Sequence, residues 1–353
     1  MPNSNQRIFW ACQAVGISTC GSTSYTAVHG LQSVGITTTF NLEQVFELGQ
    51  IAIYENVENI PDIEVTLEKV IDGYPLIYHL ATRGFVADTL TGRSAVKCSV
   101  AMSIFGDTQN AASGVAISQA EMSGMYVSSL SYTFPVEGNC TEAVTLVGNN
   151  KRWLAEGSTD FEGTIFDNTD EPLALTSGTG GIQRRENVVF ETNVIALDAN
   201  NMIAATDATI LPPDIPGIAG SGTNFPNADG DHPAHIQGIT VSTDLGRENL
   251  NELGRKGPYF RFVTFPVEVT CEIEVLSTTG DQVDALEAAA SNITDRSIRI
   301  RLEDSTFLNL GTKNKLASVT YGGGDTGGGN VTDSYSYSTF NDLIVTHAQD
   351  PLA

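Results

Sequence analysis

Apolar and polar residues alternate with a period of two along two stretches of the chain. The apolar positions are Ile63, Val65 and Leu67 in the first stretch and Val267, Val269, Cys271, Ile273 and Val275 in the second. The polar positions between them are Glu64, Thr66 and Glu68, then Glu268, Thr270, Glu272 and Glu274. This period predicts two strands, each with one face on a core and the other in water.

Other segments extend this pattern into a mainly β protein with short helices. Alternating apolar residues predict further strands, and they are Val100, Met102 and Ile104, and Ile298, Ile300 and Leu302. Two hairpins are predicted, one from residues 126–134 and 141–147, the other from 317–321 and 334–344 around a glycine-rich loop. Short helices are predicted at 74–82, where a proline stands early, and at 281–291, which is rich in helix formers.

Residues 36–70 recur in altered form about two hundred positions later. At an offset of 205 the matched residues are Glu43 with Glu248, Glu47-Leu48-Gly49 with Glu252-Leu253-Gly254, Tyr54 with Tyr259, and Pro61 with Pro266. If Asp62 is an extra residue of the first copy, the segment from Glu64 then matches the segment from Glu268. We therefore predict two tandem β-sandwich or barrel domains that arose by internal duplication.

The predicted boundaries follow composition. The first domain covers residues 1–205, with a loop excursion at 155–181 and a last strand at 186–197. A proline- and glycine-rich linker covers 206–235, and the second domain covers 236–353.

The repeated Glu-Leu-Gly predicts a short helical turn in each copy, at residues 42–48 and 247–253. Each turn is expected to end at a glycine, Gly49 or Gly254, in the left-handed conformation. Glu47 and Glu252 either cap the turn locally or bond across a subunit contact, and the sequence leaves these two readings open.

The chain is strongly acidic, with 42 acidic and 18 basic residues and a formal net charge of -24. Binding phosphates needs clusters of lysine and arginine, so this balance disfavours a protein that grips nucleic acid. It suits either simple solubility or a surface past which DNA slides without sticking. The N-terminal segment lacks the pattern of a secretory signal, no apolar run is long enough to span a bilayer, and five scattered cysteines are expected to be free thiols.

Candidate chemistry is sparse. The loop at 321–330 lacks the Lys-Ser/Thr of a phosphate-binding loop, and the acidic and histidine residues at 229–235 lack a helical ligand spacing. The run from Asp167 resembles half of a calcium loop without its glycine and final glutamate. We therefore expect no enzyme activity, no cofactor and no metal.

The repeated unit resembles the tail tube proteins of tailed bacteriophages. The resemblance rests on residues 40–80 and 128–148, which residues 244–275 echo in the second copy. It implies domains whose sheets join around a ring, with rings that stack into a hollow tube for DNA ejection. It also implies a location in the virion tail after assembly in the host cytoplasm. The implied partners are the chain itself, a baseplate, a terminator, a tape measure and, in a contractile tail, a sheath.

Most such proteins carry one tube domain and form hexameric rings, whereas this chain has two. Three chains therefore suffice for six domains, although a true hexamer stays open. If the alternating strands line the lumen, Glu64, Glu68, Glu268 and Glu272 project into the channel and repel DNA. Alternatives are another structural component of a tail or secretion apparatus, such as a terminator or baseplate hub, and a carbohydrate-binding β-sandwich.

Overall fold

A computed structural model describes most of both halves of the chain. The described residues are 5–107, 111, 115–156, 158, 166–167, 181–189, 209, 235–278, 280, 283, 297–324, 328–348 and 350. The protein is mainly β, as predicted, and the described residues include two short helices, α1 (Ile77–Ala81) and α2 (Leu90–Ser94).

Twenty strands are described. Those of the first half are β1 (Gln13–Thr19), β2 (Tyr25–Ala27), β3 (Leu31–Thr39), β4 (Leu42–Phe46), β5 (Ile53–Glu58), β6 (Asp62–Val70), β7 (Cys98–Ile104), β8 (Ser118–Pro135), β9 (Thr141–Gly148), β10 (Asn150–Ala155) and β11 (Phe166–Asp167). Those of the second half are β12 (Ile236–Asp244), β13 (Arg247–Leu250), β14 (Phe260–Val263), β15 (Glu268–Leu276), β16 (Arg299–Arg301), β17 (Phe307–Asn309), β18 (Lys315–Gly322), β19 (Thr332–Phe340) and β20 (Ile344–Thr346).

One antiparallel sheet runs through both halves in the order β3-β6-β9-β8-β12-β15-β19-β18, and we call it the central sheet. Its first four strands are the first repeat and its last four are the second repeat. The strands of the two repeats have the same spatial order, because β12, β15, β19 and β18 take the places of β3, β6, β9 and β8. The two predicted hairpins are β8–β9 and β18–β19.

A second layer covers the inner face of the central sheet. In the first half, the early part of the long strand β8 pairs with β7 and β10, and β7 continues to β1 and β2. In the second half the strands β16, β17 and β20 form a small sheet. Their apolar side chains join those of the central sheet and α1 in a single buried cluster that spans both halves.

The predicted helix near residue 74 is confirmed as the shorter α1, and a buried carboxylate fixes its start. The carboxylate of Glu142 accepts hydrogen bonds from the backbone N–H groups of Ile77 (2.6 Å) and Tyr78 (3.1 Å) and from the hydroxyl of Tyr132 (3.0 Å). Burial raises the pKa of Glu142, while the nearby Lys69 ammonium acts to lower it. The helix predicted at 281–291 lies outside the described residues, except for Val283.

The predicted helical turns at the repeated Glu-Leu-Gly are wrong. Both segments are β-hairpins, β4–β5 and β13–β14. A single helical turn fixes three residues for one hydrogen bond, whereas a glycine turn lets both flanking segments form a ladder. The left-handed glycines are as predicted, with φ of +95° at Gly49 and +83° at Gly254.

The strand predicted to start at residue 186 does not begin there. Arg185–Asn187 is a 3-10 turn, and Val188 then makes an isolated bridge to Leu302. Asn187 instead donates through its side-chain amide to Glu303 (2.8 Å), so the segment fastens the first half to the second. The rest of that prediction, and nearly all of the 155–181 excursion and the 206–235 linker, lie outside the described residues; the domain boundaries stay predictions.

Sheet register changes one detail of the repeat. Ile36 and Val241 are 205 residues apart; the first pairs with Val65 and the second with Cys271. The counterpart of Val65 is therefore Cys271, not Val269, and the extra residue belongs to the second copy. In the hairpins the offset of 205 holds, because Leu42 pairs with Glu58 and Arg247 pairs with Val263.

Candidate assembly surfaces

The outer face of the central sheet is polar and concave. Glu64 and Glu68 on β6, and Glu268 and Glu272 on β15, all lie exposed on it, as their alternation predicted. A hollow of about 830 Å³ on this face is lined by residues of β3, β6, β9, β8, β12 and β15. The four glutamates therefore share one surface.

Hydroxyl and carboxylate groups dominate this concave face. Ser33 donates to Glu68 (3.3 Å), and the hydroxyls of Ser242 and Thr270 lie 2.8 Å apart. Glu274 and Asp244 add further exposed carboxylates, which were not among the residues predicted to face the channel. The alternation along β15 already contained Glu274, whereas placing Asp244 needs the register of β12.

The two repeats meet where β8 pairs with β12, and we call this pairing the internal seam. It runs from Gly238 opposite Pro135 to Asp244 opposite Ser129. Its inward side chains are almost fully covered, with Leu130 at 2%, Tyr132 at 0% and Val241 at 1% exposure. The side chains at the internal seam are thus part of the buried hydrophobic core.

The outer strands of the central sheet are β3 and β18, and among the described strands each pairs on one side. Bulges relate β18 to β8: Ser128 bulges opposite Leu146 and Thr145, and Ala317 bulges opposite Tyr337 and Ser336. The two strands therefore correspond at an offset of 189. Tyr321, the counterpart of the buried Tyr132, is 53% exposed.

The second hairpin, β13–β14, packs on the first repeat. The guanidinium of Arg261 donates to Asp62 (2.9 Å), to the side-chain oxygen of Asn149 (2.9 Å) and to the backbone oxygen of Gly148 (3.4 Å). The rings of Phe260 and Tyr126 lie edge to face at 5.6 Å. This hairpin therefore extends the internal seam beyond the ladder.

Arg247, at the start of β13, anchors the same hairpin. Its Nε donates to the backbone oxygen of Val127 (2.8 Å), and its guanidinium lies 5.0 Å from the centre of the Tyr126 ring. Burial lowers the pKa of Arg247 to about 10. Even so, the group stays charged at neutral pH.

The repeated Glu-Leu-Gly forms the tip of each hairpin. Leu48 and Leu253 are fully exposed there. Glu252 makes an exposed, local ion pair with Arg255 (3.3 Å), and the backbone oxygen of Glu47 accepts from the N–H of Gln50 (3.2 Å). Both contacts join residues within one hairpin tip, as in the interpretation that the motif acts locally.

The other matched residues of the repeat lie close to the same hairpins. Tyr54 and Tyr259 are 64% and 49% exposed. Pro61 is half-buried and Pro266 is exposed, each just before the following central strand. The two hairpins thus occupy equivalent places in their repeats.

A buried charged cluster joins the two halves behind the sheet. Arg93 on α2 makes ion pairs with Asp350 and Asp88, and His79 on α1 lies 3.0 Å from the backbone oxygen of Val345. Burial lowers the pKa of His79 to about 4, against the opposing effect of Asp350. Only the single histidine within an apolar run hinted at this cluster in the sequence.

The other candidate sites of the sequence, for a metal or a phosphate group, do not form a binding site among the described residues. No group of three or more metal-ligating side chains is present among those residues. The candidate ligands at 229–234 lie outside them, and the glycine-rich segment is the loop of the β18–β19 hairpin. The five cysteines are free thiols, as predicted, and no described helix is long and apolar enough to cross a membrane.

Similar solved structures come from contractile injection machines. A chain of the extended sheath–tube complex of an extracellular contractile injection system is 13% identical, with a TM-score of 0.32 over 42% of this chain and 93% of its own. A chain of the anti-feeding prophage baseplate gives 10% and 0.32 over 44% of this chain and 100% of its own. A chain of that prophage's tube-terminating cap gives 13% and 0.32 over 43% and 93%.

No family model and no curated protein matches the chain.

Proposed function

We propose that this protein forms rings that stack into the tube of a phage tail, a structural conduit for DNA without enzymatic activity. The observation that carries the proposal is the correspondence between the internal seam and the outer edges of the central sheet. Strand β18 of one chain repeats β8, and strand β3 of the next chain repeats β12. Two such chains can therefore pair as the two repeats pair within one chain.

The internal seam specifies the register of this contact. Val241 opposite Tyr132 translates to Ile36 opposite Tyr321 of the neighbouring chain. Thr243 opposite Leu130 translates to Thr38 opposite Val319 of that chain. Unpaired strand edges are strong templates for pairing with another chain, so the contact satisfies both edges at once.

The size of the ring follows from the strand count. Each chain contributes eight strands, so three chains give twenty-four. With strands about 4.8 Å apart and tilted by about 40°, such a barrel is on the order of 50 Å wide between opposite backbones. A ring of six chains doubles that width. We favour three chains, because six repeats then close the ring.

In this ring the concave face lines the channel. Glu64, Glu68, Glu268 and Glu272 then project into the lumen, together with Asp244 and Glu274. A carboxylate-lined wall repels the phosphates of DNA and leaves it free to slide. This role agrees with the net charge of -24.

Stacking needs contacts on the rims of the ring. The fully exposed Leu48 and Leu253 at the hairpin tips present equivalent apolar groups in both repeats. The loops at 135–140 and 322–330 are the other candidates. In a virion the tube would also contact a baseplate, a terminator, a tape measure and, if the tail contracts, a sheath.

Negative-stain electron microscopy of the purified protein at low and high concentration tests the proposal. Hollow tubes or stacked rings are expected, and Tyr321→Asp is expected to leave only monomers because it places a charge in the edge contact. The control is Val86→Asp, a more exposed apolar position (95%, against 53% for Tyr321) in the loop between α1 and α2, outside both edge strands. Monomers at every concentration, or rings that survive Tyr321→Asp, would contradict the proposed edge contact.

A further inference from the structure

The hairpin β4–β5 with its two preceding residues, residues 40–58, presents an unusually apolar surface to solvent, and we call it the arm. Its exposed large apolar side chains are Phe40, Leu42, Val45, Phe46, Leu48, Ile51, Ile53, Tyr54 and Val57. A two-stranded hairpin is at best marginally stable alone, and contiguous exposed apolar groups mark interaction sites. The arm is therefore expected to have a partner.

The second repeat shows what that partner is. Leu245, the counterpart of Phe40, is 1% exposed at the internal seam, and its N–H donates to the backbone oxygen of Ser128 (2.7 Å). Phe40 itself is 71% exposed. The same position is thus buried where a preceding repeat is present and open where it is missing.

We propose that the arm packs on the second repeat of the neighbouring chain in the same ring, as β13–β14 packs on the first repeat. This inference rests on the proposed ring. The N–H of Phe40 then donates to the backbone oxygen of Ala317, the counterpart of the bulged Ser128, and the Phe40 ring is covered. The occupant of this apolar surface is a second copy of the same chain.

Charge complementarity supports this placement independently. Phe260 and Tyr126 meet edge to face at the internal seam. Their counterparts are Glu55, at the offset of 205, and Lys315, at the offset of 189. Both are exposed in the single chain. An aromatic pair inside the chain is therefore replaced by an oppositely charged pair between chains.

Replacing the aromatic pair by a Glu–Lys pair also makes the contact between chains weaker and sensitive to salt. A salt-screened Glu–Lys pair contributes modestly and is reversible, which suits an interface formed only on assembly. Arg261 donates hydrogen bonds to Asp62 and Asn149, and the equivalent position of the arm is the neutral Asn56. The arm contact is thus a weaker, salt-sensitive version of the internal one.

Site-specific cross-linking with a short bismaleimide tests the arm separately from the ring. In a Cys20→Ser background, the pair Thr38→Cys and Val319→Cys reports the edge contact, and the pair Glu55→Cys and Lys315→Cys reports the arm. Both pairs are expected to yield covalent closed oligomers in preparations of single rings. Glu137→Cys with Lys315→Cys is the control and is expected to stay uncross-linked.

The outcomes separate the two proposals. Cross-linking of the edge pair without the arm pair overturns the arm inference and leaves the ring standing, as does an arm cross-link that forms only in stacked rings. Failure of both pairs overturns the ring and the arm together.

Charge reversal gives a second readout. Glu55→Lys or Lys315→Glu alone is expected to raise the concentration for half-maximal ring formation roughly tenfold, and the double variant to restore it within about threefold. Sedimentation velocity measures this concentration, and unchanged monomer melting shows that each variant folds. Single reversals without effect, or a double variant no better than either, would overturn the pairing.

Discussion

The internal seam and the outer edges of the central sheet are two versions of one interface, one complete and one open. At the seam, Tyr132 and Leu245 are buried beneath the adjoining repeat, whereas their counterparts Tyr321 and Phe40 are more than half exposed. The bulge of β8 at Ser128 recurs in β18 at Ala317. The difference teaches that Tyr321 and Phe40 are the unfilled half of a contact that the chain already makes once.

The two versions differ in side-chain chemistry as well as in burial. The internal seam uses Arg247, Phe260 and Arg261 to bind the first repeat, through a cation over a ring and several hydrogen bonds. The open version has Leu42, Glu55 and Asn56 at those positions. A permanent contact can be strong, while a contact between chains has to wait for assembly.

Proline placed on the two versions should break the comparison most sharply. The N–H of Leu245 points from the second repeat to β8, so in antiparallel pairing the N–H of Thr243 also points there, and that of its counterpart Thr38 points outward from β3. We expect Thr38→Pro to leave the monomer folded and abolish rings. Thr243→Pro should destabilise the monomer, by on the order of 1–3 kcal/mol for the lost bond alone.

Size-exclusion chromatography and thermal melting of both proline variants make the check. Rings formed by Thr38→Pro, or a monomer equally destabilised by both prolines, would mean that the two strands are not equivalent.

Truncating the matched apolar pair should separate the two versions by monomer stability alone. Leu245→Ala should cost about 2–5 kcal/mol of monomer stability because it leaves a cavity in the buried seam. Phe40→Ala should leave the free energy of monomer unfolding within about 0.5 kcal/mol of wild type, because the ring is mainly in water. Urea denaturation measures both values. Equal losses would show that Phe40 is already covered in the single chain.

The buried charged cluster that joins the two halves adds a pH dependence to the stability of the single chain. The pKa of His79 is lowered from 6.5 to about 4 by burial. Between these values the unfolded chain binds a proton that the folded chain does not. Stability should therefore fall as pH drops from 6.5 to 4, by at most about 1.4 kcal/mol per pH unit, and level off below.

Urea denaturation of wild type and His79→Gln at several pH values isolates this effect. The glutamine variant should lack the loss, so that the difference between the two proteins shrinks or reverses as pH falls. A difference independent of pH would contradict a neutral, buried His79.

The smallest effect should come from the concave face. Replacing Glu64, Glu68, Glu268 and Glu272 by glutamine should leave monomer stability and ring formation unchanged within about 0.5 kcal/mol, because exposed charges contribute little. DNA retention by the tubes at low salt should rise, and salt should abolish the rise. Exchange of four other exposed acids, Glu43, Glu137, Glu156 and Glu186, is the control. Equal retention by both variants would argue against a channel-facing surface.

The strands, the hairpins and the two left-handed glycines were predictable because period-two alternation and glycine turns are local signals. The hairpin at Glu47-Leu48-Gly49 was missed because the five-residue segment Leu42–Phe46 fits a helical turn as well as a strand, and only its pairing with β5 decides. The joint sheet was not predictable either. It pairs Tyr132 with Val241, more than a hundred residues away, and no local pattern encodes that register.

The shift of one residue between the repeats has the same origin. Glu64-Val65-Thr66 and Glu268-Val269-Thr270 match in letters, yet the ladder aligns Val65 with Cys271. Sequence likeness alone places the extra residue on the wrong side. The counterpart of Val65 moves from Val269 to Cys271, two positions along β15. Side chains two positions apart in a strand lie on the same face, so the glutamates stay on the concave face.

The most direct test of the account is a cryo-electron microscopy reconstruction of the assembled ring at a resolution that separates strands. The account predicts three chains per ring, with β18 of each paired to β3 of the next and Ile36 opposite Tyr321. A ring in which β3 and β18 remain unpaired, or in which six chains contact each other through other surfaces, would contradict it.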